Sequence, residues 1–145
     1  MQHQPLRSYI ALAIAAVIIL ILSFIYRDTL ADIHVHDTYL VFNFSVAFLI
    51  IAITLLTLFA LYFITRKAAL PKYLVQTHVT FTLVGAALLT WFLFQASKAY
   101  IPGFADWQFF ERNNSLIQID LLFFLLTQLF FIGIIIVKLI KNSRR

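Results

Sequence analysis

Four long apolar runs, at 9–26, 41–65, 74–97 and 117–140, alternate with short polar stretches. Each run has roughly the 20 residues that a helix needs to cross about 30 Å of hydrocarbon at about 1.5 Å per residue. Inside lipid a spanning segment must satisfy its own backbone hydrogen bonds, and a helix does so. The pattern therefore predicts an all-α fold, a polytopic four-transmembrane-helix bundle forming a single membrane domain over residues 1–145. The connection after the first run is too polar to enter lipid because of Asp28 and Asp32. The next carries Pro71, which stops one helix and can start another. The third, Lys98–Ser115, is the longest stretch predicted to be loop, with Pro102-Gly103 as its turn signal.

Composition agrees with lipid as the solvent. The chain is 63% hydrophobic and 12% charged, and its mean hydropathy is +0.95; a water-soluble domain is nearer half apolar and a quarter charged. Cysteine is absent, which excludes disulfides, thiolate metal sites, iron–sulfur clusters and thioether-attached heme. The net charge of +5 is a topology signal. Arg7, Arg66, Lys67, Lys72, Lys138, Lys141, Arg144 and Arg145 fall at the two termini and the second connection, with no acidic residue among them. Asp28, Asp32, Asp37, Asp106, Glu111 and Asp120 fall on the other side, with only Arg27, Lys98 and Arg112. The positive-inside rule then puts both termini in the cytoplasm, and basicity so distributed serves orientation and anionic lipid, not nucleic acid. The first run is longer than a leader's apolar core and no clear A-x-A site follows, so it is expected to stay as a helix. Tyr26, Tyr39, Tyr100 and Trp107 are expected in an outer aromatic belt, and Tyr9, Tyr62 and Tyr73 in an inner one.

Polar residues inside spans cost free energy and so point to function or to helix contacts. The second run holds Asn43, Ser45, Thr54 and Thr57; the third holds Thr77, His78, Thr80, Thr82 and Thr90, with Gly85 as a close-packing point. In the fourth, Asp120, Thr127 and Gln128 fall on one helix face. The Thr and Ser hydroxyls read as glue between helices, worth under about 1 kcal/mol each. Asp120 reads as a shallow residue near the outer surface in preference to a proton-relay carboxylate.

One segment carries more. Asp32-Ile33-His34-Val35-His36-Asp37-Thr38-Tyr39 leads directly into the second run, farther on come His78, Phe81 and Gly85, and then Pro102, Asp106, Trp107 and Asn113-Asn114-Ser115. In that order these pieces resemble subunit I of the heme–copper terminal oxidases, over the last four of its twelve membrane helices. The resemblance implies that His36 and Asp37 fall at a non-redox magnesium site and Asp32 near a heme propionate. It also exposes what is missing. Where the family has its H-x-H heme ligands, this chain offers Asn43 and Ser45, or Phe44 and Val46 in the alternative register, and neither pair contains an imidazole. The propionate-binding arginines after the loop proline are replaced by Gly103 and Phe104, and the copper ligands belong to helices not present.

Residue chemistry leaves two readings of the turn open. His34 and His36, two apart in an extended segment, point the same way and with Asp37 could hold a divalent cation, Mg or Zn. Alternatively His36, Asp37 and Tyr39 hydrogen-bond the connection, with Asp37 as the N-cap of the second helix. No catalytic residue and no heme are expected, and Asp32, Tyr39, His78 and Asp120 stand as a structural or polar set. The resulting expectation is a non-catalytic structural, assembly or regulatory subunit of a respiratory membrane complex. It would sit in a bacterial inner membrane in preference to the mitochondrial one. Its partners would be the bilayer and other membrane proteins, oxidase subunits or a copy of itself. A small heme- or metal-binding electron-transfer protein is the rival, in which His78 pairs with its copy across a dimer. A channel using Asp120, Gln128 and Asn43 is the third reading, weakened by the lack of inverted repeats or broken spans.

Overall fold

The computed structural model describes residues 6–35, 38–65, 71–98 and 107–143. Four helices dominate it: α1 (Leu6–Ile25), α2 (Phe44–Thr65), α3 (Lys72–Lys98) and α4 (Trp107–Ser143). Between the first two lies an antiparallel hairpin of β1 (Leu30–Val35) and β2 (Thr38–Asn43). Three helical stretches are long and apolar enough to cross a membrane, Phe44–Thr65, Lys72–Ala96 and Glu111–Ile136, while the apolar part of α1, Tyr9–Ile25, is shorter.

Helix order follows the four apolar runs, and neighbours in sequence pack antiparallel. α1 packs mainly on α2, and α3 mainly on α4. Ser23 meets Ser45 at the hairpin end of the first pair, and Tyr9 meets Tyr62 at the other end. In the second pair Asn113 meets Phe92, Phe124 meets Gly85, and Phe131 meets His78. Buried positions repeat every three and four residues on every helix. On α1 they are Tyr9, Leu12, Ala16, Ile19 and Ser23; on α2, Phe44, Phe48, Ile51, Leu55, Leu58 and Tyr62. On α3 the row is Val75, Val79, Thr82, Ala86, Leu89, Leu93 and Ala96, and on α4 Asn113, Ile117, Asp120, Phe124, Thr127 and Phe131. This heptad spacing is that of left-handed coiled-coil packing in helix bundles. Gly85 is the close-packing point expected of it: a Cβ there would come within 3.2 Å of the Phe124 ring.

The hairpin departs from a purely helical expectation. Residues 30–43 are rich in Val, Ile, Leu, Tyr and Phe, side chains that suit a pleated surface. Leu30 pairs with Asn43, Asp32 with Val41, Ile33 with Leu40, His34 with Tyr39 and Val35 with Thr38. Ile33 and Phe42 pack against the core, and β1 contacts α3 and α4, so the hairpin lies across one end of the bundle. Residues 41–43, expected in the second helix, therefore belong to a strand. The cap of α2 is Asn43, whose Oδ1 accepts from Ser45 N at 2.8 Å while its Nδ2 donates to the Arg27 carbonyl. Asp37, the expected cap, lies outside the described residues and six residues before Asn43.

The last helix is the other departure. Loop was expected as far as Ser115, yet α4 starts at Trp107. No proline or glycine interrupts 107–132, and packing secures the early turns. Asn113 and Asn114 are buried, and Asn113 Nδ2 donates to the Phe92 carbonyl of α3 at 3.0 Å.

Candidate functional site

Near the Pro71 end of the bundle all four helices contribute to one buried polar cluster. α2 brings Tyr62, α3 brings His78 and Thr82, α4 brings Gln128 and Phe131, and α1 covers it with Tyr9. Tyr62 and Thr82 are 0% exposed and His78 is 1% exposed. The Tyr62 hydroxyl lies 2.7 Å from His78 Nδ1, and Thr82 Oγ1 lies 3.4 Å from His78 Nε2. Gln128 Nε2 donates to Thr82 Oγ1 at 3.4 Å and to the Phe124 carbonyl at 3.2 Å. The Phe131 ring stacks on the imidazole at 4.4 Å between centroids and 19° between planes, and lies 4.6 Å from the Tyr62 ring. Tyr9 stacks on Tyr62 from the far side at 6.4 Å.

This chain of groups can run in either direction. With the imidazole proton on Nε2, Tyr62 donates to Nδ1 and Nε2–H donates to Thr82. With the proton on Nδ1, Thr82 donates to Nε2 and Tyr62 accepts. Both directions engage both ring nitrogens, and the Tyr62–His78 bond is the short, strong member. The Phe131 ring lies over the imidazole and the Tyr62 ring beside it, and a hydroxyl faces each ring nitrogen. Sequence reasoning singled out His78 but assigned Tyr62 and Tyr9 to an interfacial belt; both are core residues, 0% and 2% exposed. A signal was present. Tyr62 stands four residues before the 66–71 connection and His78 seven after it, which puts them within about a turn of one depth on adjacent helices. Tyr73, by contrast, is 69% exposed, as a belt residue should be.

At the hairpin end a second cluster joins α1 to α2. Ser23 Oγ donates to the Ser45 carbonyl at 2.9 Å and lies 3.0 Å from Ser45 Oγ. Asn43 and Ser45, one of the two alternatives for the heme-ligand positions by resemblance, are thus taken up in capping and in joining helices. In the other register Phe44 is fully buried and Val46 is 53% exposed. Of the expected metal set, His36 and Asp37 lie outside the described residues, as do the side chains of His34, Asp32 and Tyr39. Among the described residues no group of three or more His, Cys, Asp or Glu could hold a metal ion.

Asp120 does not stand near the end of its helix, as had been expected of it. Because α4 begins at Trp107, Asp120 lies more than three turns inside the helix. It is 5% exposed, and among the described residues its Oδ2 has no hydrogen-bond partner. Thr127 shares its buried row, and Gln128 is half-buried beside it, as their spacing predicted. Gln128 reaches the His78 cluster, whereas Asp120 sits two turns away toward the hairpin end. Most threonines are not interhelical glue. Thr54, Thr57, Thr65, Thr90 and Thr127 each donate to the carbonyl four residues earlier in their own helix, at 2.7–2.9 Å. No protein-family model, curated protein or solved structure matches the chain.

Proposed function

We propose that this chain is a non-catalytic, four-span membrane subunit, related to the last third of heme–copper oxidase subunit I, that docks against other membrane proteins of a respiratory complex in a bacterial inner membrane. One observation carries the non-catalytic part. His78, the one histidine inside the apolar runs, is buried against Tyr62 of α2, Thr82 of α3 and Phe131 of α4, and a hydroxyl faces each of its ring nitrogens. The cluster ties the helices together and supplies no vacant ligand. The Asn43–Ser45 cap supports the same reading in one of the two registers, since there the places that would carry heme ligands by resemblance cap and join helices instead. The four apolar runs and the segregation of positive charge support embedding with both termini inside.

The test is purification from the native membrane in mild detergent, followed by a reduced-minus-oxidised visible spectrum and identification of co-purifying proteins. A flat spectrum with membrane partners in constant ratio is the expected result. A heme band that survives removal of every partner, or recovery of the chain alone, would overturn the proposal.

A further inference from the structure

Asp120 is buried in the seam between α3 and α4 and belongs to neither cluster. It is 5% exposed, and among the described residues no group donates to its Oδ2, an oxygen that no water-sized space touches. The contacts on either side of it fix what it faces. Asn113 meets Phe92 and Phe124 meets Gly85, so α3 presents residues 85–92 to this part of α4. In that stretch Thr90 and Trp91 have the only polar side chains. Thr90 donates to the Ala86 carbonyl, and Trp91 is 57% exposed.

Charge that could offset a carboxylate is scarce in the elements around it. α4 has no other acidic or basic residue from 113 to 137, α3 has only His78 between Lys72 and Lys98, and none falls in 8–25 of α1 or in α2. His78 meets Tyr62 and Thr82 beside Phe131, three turns from Asp120 along α4. Arg112 is exposed two turns the other way, and β1, which also contacts α4, carries Asp32 and His34. A hard cation wants about six oxygens, a water wants about three polar partners, and neither has room against Oδ2. An unpaired carboxylate is too costly for such surroundings, and the group takes up a proton instead.

We propose that Asp120 is a proton-binding site inside the bundle, its carboxyl held as the neutral acid between α3 and α4. A proton is the one ligand that needs no space of its own. It removes the charge and turns one carboxyl oxygen from an acceptor into a donor. Carbonyls of the preceding helical turn can accept from that O–H, as such carbonyls accept from the hydroxyls of Thr54, Thr57, Thr65, Thr90 and Thr127. The inference rests on membrane embedding as proposed above, because lipid around α4 keeps water from the seam.

Infrared spectroscopy of the full chain in lipid vesicles at neutral pH tests it. Solvated aspartates are ionised there, whereas a protonated one shows a carbonyl stretch of its own above the amide band. The unaltered chain should show that stretch, it should shift down in heavy water, and carbon-13 labelling of the aspartate carboxyls should move it. Asp120→Asn should lose the stretch while keeping its helix content by circular dichroism. Asp120→Glu, a second variant, should keep an acid stretch that no longer responds to the aspartate label. A spectrum of the unaltered chain without the stretch, a stretch that the label leaves in place, or one that survives in Asp120→Asn would each overturn the proton site. Extraction at alkaline pH, run on the same vesicles, separates the two proposals. A chain that stays with the lipid but lacks the stretch refutes the proton site alone, and a chain released from the lipid refutes the embedding.

Discussion

The hydroxyl of Tyr62 is the best single handle on the buried cluster. Tyr62→Phe keeps the ring that packs on Tyr9, His78 and Phe131 but removes the 2.7 Å bond to His78 Nδ1. An imidazole nitrogen left unpaired in an apolar site costs about 1–3 kcal/mol. The variant should therefore melt at a lower temperature in detergent, measured by circular dichroism, with its helix content unchanged at low temperature. Residue-scale legibility was uneven for a physical reason. A residue's distance from a span's end can be counted along the chain, but its face cannot be read when lipid-facing positions are as apolar as buried ones. Ile14, Ile53 and Leu122 are more than half exposed, and nothing in their chemistry distinguishes them from Leu12, Leu55 or Ile117. Tyr9 and Tyr62 were misplaced for that reason. Gly85 was legible because only a missing side chain lets α4 approach so closely.

Among the elements, the start of α2 depends on one side chain. Asn43 accepts from Ser45 N and donates back to the Arg27 carbonyl, so it joins the end of α1 to the start of α2 while capping the latter. Asn43→Ala should cost about 1 kcal/mol, typical of a lost N-cap. Asn43→Asp keeps the acceptor for Ser45 N but sets a carboxylate oxygen against the Arg27 carbonyl, so it should recover only part of the loss of melting temperature. Four helices could be read from apolar length, with ends correct to within three residues for the first three. The start of α4 and the hairpin could not. The first turns of α4 are polar, and it is burial of Asn113 and Asn114 beside α3 that keeps them helical. In the hairpin, Asp32, His34 and Asp37 read as loop chemistry, while the alternating Ile33 and Val35, and Leu40 and Phe42 across from them, lie beneath that signal. For the candidate site, the sequence indicated the importance of His78 and Gln128 but not their meeting through Thr82, which depends on how α3 and α4 rotate against each other.

At the scale of the whole molecule, orientation is the property most open to a decisive measurement. The charge segregation predicts that reporter fusions after the C-terminus and within the 66–71 connection behave as cytoplasmic. A fusion in the hairpin connection should behave as external. Adding lysines to the hairpin strands should weaken this preference before it affects the helices themselves.

The uneven packing within the bundle bears on how it is assembled. α1 grips α2 and α3 grips α4 more extensively than either pair grips the other, and each pair is two antiparallel helices consecutive in sequence. Synthesis from the N-terminus therefore completes the α1–α2 pair before α3 and α4 exist. The cluster around His78 can close only when the second pair arrives, because it needs Gln128 and Phe131 from the last helix. Its closure is a late event, which waits on the synthesis of α4.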